Sequence, residues 1–128
     1  MSNKLHTDKK LKKFLAGRRN LARKIGVQSA NFFKFDVFNA QGFIDNTVKR
    51  WKPKQKGRGR ILVNKGRGQK SIRPERITDK GVNIVANAPY MKYHNEGTKK
   101  LPQRKFLGNS NKLDKKNMKV ILDFIDSL

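Results

Sequence analysis

Charge sets the terms on which this chain can fold. Its 128 residues carry 32 lysines and arginines against nine acids, a net +23 at neutral pH. Burying an unpaired cation costs several kcal/mol even after relaxation, so nearly all of these side chains must stay at the surface. A core can then come only from short apolar clusters in one domain, spanning 1–128. A charge this large exceeds what solubility requires and draws the chain toward polyanions. Among nucleic acid, anionic membrane and acidic protein, nucleic acid leads, because Gly-Arg-rich stretches accompany the charge.

Cysteine is absent. That excludes disulfides, thiol catalysis and thiolate metal sites, and it suits a reducing compartment. No apolar run is long enough to span a bilayer, and the first twenty residues lack the apolar segment of a secretory signal. The expectation is a protein made in a cytoplasm, with no membrane partner.

Periodicity predicts the elements. Residues 1–7 read as a flexible terminus, after which Asp8 caps a helix with its apolar stripe at Leu11, Phe14, Leu15, Leu21, Ala22 and Ile25; Gly26 is its stop. Val27 to Phe38 reads as a second helix whose phenylalanines, Phe32, Phe33, Phe35 and Phe38, anchor the core. Residues 49–70 mix cations with Gly and Pro, which predicts a mobile basic loop or arm broken by an apolar contact at Ile61 to Val63. Residues 69–77 and 82–87 read as a hairpin turned by Thr78 to Gly81, with Pro74 forcing an edge or bulged strand. Pro89 starts a short helix that Gly97 closes, Phe106 and Leu107 return to the core, and an amphipathic helix begins at Asn111, with a gap in its stripe near Lys116 and Asn117. The fold class is α+β: a small antiparallel sheet built on a β-hairpin, packed by N-terminal and C-terminal helices, with a long basic loop.

Catalytic patterns are missing. The nine acids form no pair placed for acid–base work, and Asp123 with Asp126 reads as a solvated surface pair. His94, beside Asn95 and Glu96, reads as a structural histidine, because His6 sits in the terminus and completes no two-His metal spacing. Gly57, Gly59, Gly66 and Gly68 match no nucleotide-binding loop; interleaved with Arg58, Arg60 and Arg67, they read as a backbone able to approach phosphates or an acidic partner. Trp51 reads as a packed tryptophan in preference to a base-stacking platform. The chain is expected to be no enzyme, with no cofactor and no metal.

The ordered landmarks Gln41-Gly42-Phe43, Trp51-Lys52-Pro53, Ile61-Leu62-Val63, Gly66-Arg67, Lys70-Ser71-Ile72-Arg73, Ala88-Pro89-Tyr90, His94-Asn95-Glu96-Gly97, Pro102-Gln103-Arg104 and Phe106-Leu107-Gly108 resemble the phage virion morphogenesis family. These are tail-completion or neck proteins of tailed bacteriophages, Mu-like phages included, and the likeness runs from about Val27 to the C-terminus. It departs from the family at Gly68, where an apolar residue is usual, and in its more basic N-terminal helix. The resemblance implies a small α+β subunit of a homo-oligomeric ring around the DNA channel, in the virion neck or tail top. Its partners would be adjacent neck, portal-adaptor or tail proteins, with non-specific contact to packaged DNA. It further implies an architectural role for Trp51, Ser71, Tyr90, His94, Gly97, Pro102, Arg104 and Phe106.

The residues expected to touch DNA or a partner are Arg50, Lys52, Lys54, Lys56, Arg58, Arg60, Lys65, Arg67 and Lys70. The rival expectation is a basic nucleic-acid-binding module of ribosomal or RNA-binding type, for which the same charge and Gly-Arg loops would serve.

Overall fold

The computed structural model describes residues 2–55, 59–63 and 66–128, with side chains from residue 8 onward. A long helix α1 (Ser2–Asn31) runs through a π-helical turn (Phe32–Asp36) into α2 (Val37–Ala40). Then come β1 (Gly42–Ile44), β2 (Val48–Arg50), α3 (Arg67–Lys70), β3 (Ile72–Glu75), β4 (Asn83–Ala86), α4 (Met91–Glu96) and α5 (Asn111–Asp126). The class is α+β, as the sequence predicts, but the sheet is two separate antiparallel pairs, β1–β2 and β3–β4.

The first two predicted helices are one. Neither the Asp8 cap nor the Gly26 stop holds: α1 starts at Ser2, taking in the terminus expected to be loose, and passes through Gly26. Gly26 is there for packing. A Cβ on it would lie 2.8 Å from Val82 Cγ2 and 3.2 Å from Pro74 Cβ, so a glycine lets the β3–β4 hairpin lie against the helix. The helical run stops instead at Gln41, in the left-handed region at φ 52. Its side chain donates from Nε2 to the carbonyls of Phe38 and Ile61.

The π turn solves a problem of phase. Phe32, Phe33, Val37 and Phe38 are all buried, yet positions five apart diverge by about 140° on an α-helix. The Val37 N–H bonds back to Phe32 O, an i to i+5 bond that widens the turn and returns both pairs to one face. Phe35, expected in the core, falls outside that face and is exposed.

The core gathers these four residues with Phe43, Ile44, Trp51, Ile72, Ala88, Met91, Phe106 and Leu113. Residues 49–70 are no continuous mobile loop. Among its described residues, Lys49 and Arg50 belong to β2, Trp51 is buried, Ile61 to Val63 pack on the core, and Arg67–Lys70 form α3. The predicted strand 69–77 is correspondingly shorter, since Gln69 and Lys70 are helical. Ser71 ends that helix, donating from Oγ to Gly68 O at 2.6 Å.

Pro74 pairs with Ile84 within the hairpin. In a two-stranded sheet every strand is an edge, so its missing N–H can face away from the ladder without cost. Arg18 pairs with Asp79 at the hairpin turn, 3.0 Å apart, and Thr78 N donates to Gly81 O across that turn. The α5 helix packs antiparallel along α1: Phe124 stacks near Phe14 at 5.9 Å between ring centroids, while Asn117 bonds Gln28 and Ser29 at the other end. The polar gap at Asn117 is thus a hydrogen-bonded joint between helices. Ser110 caps α5 by accepting from Leu113 N, and its buried hydroxyl donates to Ile44 O.

Gly26→Ala should destabilise the fold by about 1 kcal/mol, overpacking of roughly 1 to 3 outweighing a helix-propensity gain near 1. Urea denaturation of the single variant and of Gly26→Ala with Val82→Ala would check this, the loss shrinking in the double variant as the methyl clash is removed.

Candidate nucleic-acid interface

The residues from His94 to Leu107 are knitted into one junction. Gly97 ends α4 at φ 78, and a Cβ there would come within 3.1 Å of Gln103 Cα and N, so glycine allows the two strands of this loop to touch. Asn95 Oδ1 accepts from the N–H groups of Phe106 and Leu107, at 2.9 and 3.0 Å. Gln103 Nε2 donates to Asn95 O, and Arg104 N donates to His94 O. Phe106, so held, is buried against Phe38, with ring centroids 6.0 Å apart.

The same junction fixes the segment after β2. Trp51 Nε1 donates to Lys105 O at 2.7 Å, and its ring meets Phe38 edge-on at 5.3 Å. Trp51 therefore packs and does not present its ring for stacking on bases. Arg104 reaches across with Nε to Lys52 O at 3.1 Å and Nη2 to Pro53 O at 3.2 Å. These bonds set residues 52–55 beside residues 99–104.

Between the two segments lies a cleft of about 520 Å³, lined by Lys52, Pro53, Lys54, Gln55, Lys99, Lys100, Leu101, Pro102 and Arg104. Five of these nine are cations and none is an acid. Lys99 and Lys100 are presented by a tight turn in which Thr98 N donates to Leu101 O and Thr98 Oγ1 accepts from Lys100 N and Leu101 N. The ion pairs Arg18–Asp79, Arg73–Glu75 and Lys116–Asp36 involve none of Lys52, Lys99, Lys100 and Arg104. A concave surface of one sign concentrates anions, and a flexible run of lysines over a braced backbone suits phosphates without reading bases.

The expected contact residues do not form one surface. Lys52 and Lys54 are in the cleft. Arg50 is exposed on β2 and lines a separate hollow with Lys49 and Lys105, where Asp45 also stands. Arg60 donates to Asn39 Oδ1 at 3.0 Å, and Arg67 and Lys70 lie at the exposed ends of α3. Lys56, Arg58 and Lys65 lie outside the described residues. Sequence reasoning missed Lys99 and Lys100. The signal was a lysine doublet held between Gly97 and Pro102.

Of the residues given an architectural role, Trp51, His94, Gly97, Pro102, Arg104 and Phe106 meet at this junction. Tyr90 stands at its edge, 6.4 Å from the His94 ring, and is partly exposed; Ser71 serves α3 instead. His94 Nδ1 is buried with no hydrogen-bond partner among the described residues. Burial, and secondarily the Arg104 guanidinium, push the His94 pKa below its ordinary value. No group of His, Asp and Glu among the described residues could hold a metal ion, and no described helix is long and apolar enough to cross a membrane.

No protein-family model matches the chain, and no similar curated protein or solved structure was found.

Asn95→Ala should cost roughly 1 to 3 kcal/mol by stranding the Phe106 and Leu107 N–H groups, while Asn95→Asp, which keeps the acceptor, should retain most of the stability; urea midpoints of the two variants check this. Since the folded state favours neutral His94, stability should be full above the unfolded imidazole pKa of about 6.5 and decline as pH falls below it toward the lowered folded value. Melting temperatures from neutral to mildly acid pH should show this decline in the wild type and a shallower one in His94→Gln.

Proposed function

We propose that this chain is a structural subunit of a tailed-phage virion, part of a neck or tail-completion ring that joins head to tail around the DNA channel, and that it catalyses no reaction. The observation that carries this reading is the convergence of landmarks that are scattered in sequence. Trp51, His94, Asn95, Gly97, Arg104 and Phe106, drawn from the motifs that resemble the family, come together at a single junction: Asn95 accepts from Phe106 N, Arg104 N donates to His94 O, Gly97 lets Gln103 close on the end of α4, and Trp51 donates to Lys105 O while sharing the Phe38 ring with Phe106. Motif residues spent on mutual bracing fit a scaffold.

On this reading, the junction holds the Lys52 and Lys99 segments so that their cations line the DNA path. They would offset repulsion between the packaged duplex and the ring opening without selecting sequence. The family assignment rests on the motif order, and the DNA contact on the cleft.

Replacing Lys52, Lys99 and Lys100 together by Glu tests it. These side chains are exposed and outside every ion pair described, so the melting temperature should stay near that of the wild type. Binding to random-sequence duplex DNA, followed by fluorescence anisotropy across a salt series, should weaken, with the log–log salt slope shallower by about 0.9 for each phosphate no longer neutralised. Particles purified from infected cells, treated with nuclease and washed in high salt, should retain the wild-type protein at low copy. Absence from particles, together with tight and selective RNA binding, would replace this reading with the RNA-binding module.

A further inference from the structure

We infer that the outer face of α1 binds duplex DNA, the helix lying in the major groove with cations reaching the phosphates on either side. From Lys9 to Asn31 the helix carries eight cations and no acid. Arg18 turns inward to Asp79 on the hairpin. On the outer face the exposed cations fall in order: Lys12, Arg19 and Arg23 recur at helical spacing along one row, Lys13 and Lys24 along another, and Lys9 stands between the two. Adjacent residues on a helix point about 100° apart, so Lys12 and Lys13, and again Arg23 and Lys24, splay to opposite sides of the strip between them. Asn20 accepts from Arg23 Nη1 at 3.3 Å and holds that guanidinium on the outer face.

The dimensions suit a groove. Lys9 to Lys24 spans about 22 Å at 1.5 Å per residue, and a B-form major groove about 12 Å wide admits one α-helix. Midway along the strip between the rows stands Ala16, exposed and small, so the helix backbone can come close to the groove floor. An acidic protein would seat on a face with an apolar centre ringed by charge. Between Lys9 and Lys24 this face offers only the Ala16 methyl, and the exposed leucines Leu11 and Leu15 lie on a separate line with Asp8.

Carboxylates at the edges do not cancel this field. Asp8, the only acid in α1, borders the face one turn from Lys12, and Asp123 of α5 lines a hollow with Lys24. Asp79, Asp36 and Glu75 are engaged by Arg18, Lys116 and Arg73. Six exposed cations bordered by two carboxylates leave the face positive along its whole length, which favours a ligand whose charge is continuous, as in the paired phosphate ridges of a duplex. The surface shares no residue with the Lys52 and Lys99 cleft, and it does not depend on the neck reading.

Fluorescence anisotropy of the full chain with a short random-sequence DNA duplex, and with an RNA duplex of the same length, tests this across a salt series. The deep, narrow major groove of A-form RNA keeps a helix out, so DNA should bind roughly tenfold more tightly. Replacing Lys12, Arg19 and Arg23 together by Gln should weaken DNA binding roughly tenfold or more, with the log–log salt slope shallower by about 2.7, and Lys13→Gln with Lys24→Gln should lower the slope by about 1.8. Both variants should melt near the wild type, since the side chains are exposed and glutamine suits a helix. Replacing Lys112, Lys115 and Lys119 of α5 by Gln removes as much charge from exposed positions off this face and should leave the slope near that of the wild type. A control that weakens binding as much as the α1 triple variant, RNA duplex bound as tightly as DNA, or α1 variants that keep the wild-type slope would each overturn the groove-bound helix. Polyglutamate displacing the duplex as well as competitor DNA of equal charge would give the face to an acidic protein instead. The cleft variant at Lys52, Lys99 and Lys100 should keep the preference for DNA over RNA; if it alone loses that preference, the cleft and not the helix holds the duplex.

Discussion

The rest of the structure depends on the placement of one indole. Trp51 follows directly on β2, packs edge-on against Phe38 at the end of the long helix, and donates to Lys105 O next to Phe106. Three chain segments far apart in sequence are joined by one side chain with an apolar body and a single polar tip. Phe38 and Phe106 then close on each other, and Asn95 and Arg104 tie down the backbone on either side. For a chain with so few apolar residues, a core built from a handful of aromatic rings and satisfied backbone groups replaces the broad aliphatic layers a larger domain would use.

That economy explains how the charge is tolerated. The cations remain near water, and the described ion pairs are surface pairs of the kind that contribute little. Lysine stems also cover apolar surface: Lys105 lies over the Phe43 ring at 4.5 Å and Lys116 over Phe32 at 5.5 Å. Charge and core are thus interleaved. Where cations gather on a concave surface, at Lys52 and Lys99, the backbone beneath is densely hydrogen-bonded, through Trp51, Asn95, Thr98 and Arg104.

Much of the secondary structure was legible because its causes are local. The Thr78 to Gly81 turn, the Gly97 stop and the α5 stripe each follow from residue type and spacing. The failures had tertiary causes. Gly26 reads as a terminator until the hairpin against it is known, and Asn117 as a flaw in a stripe until Gln28 and Ser29 meet it. The β1–β2 pair escaped notice because its second strand, Val48–Arg50, is exposed and largely cationic, so no alternation marked it. At the candidate site the difficulty was distance: Lys52 and Lys54 were found from their own neighbourhood, but Lys99 and Lys100 join them only through the Arg104 bridge to the carbonyls of residues 52 and 53.

The π turn at Phe32–Asp36 carries a consequence for how this chain can vary. Upstream of it the helix serves α5 and the β3–β4 hairpin; downstream it serves Trp51 and Phe106. One helical spine serves both, and the turn sets the phase of one stretch against the other. A deletion of one residue there would bring the two buried pairs to a spacing of four, and plain α-helical winding, at about 100° per residue, would still hold them within about 40° of one face. Plain winding at the present length would instead swing everything upstream by about 100° relative to the aromatic cluster. The extra residue and the wide turn therefore belong together, and related chains would be expected to keep both or to lose both.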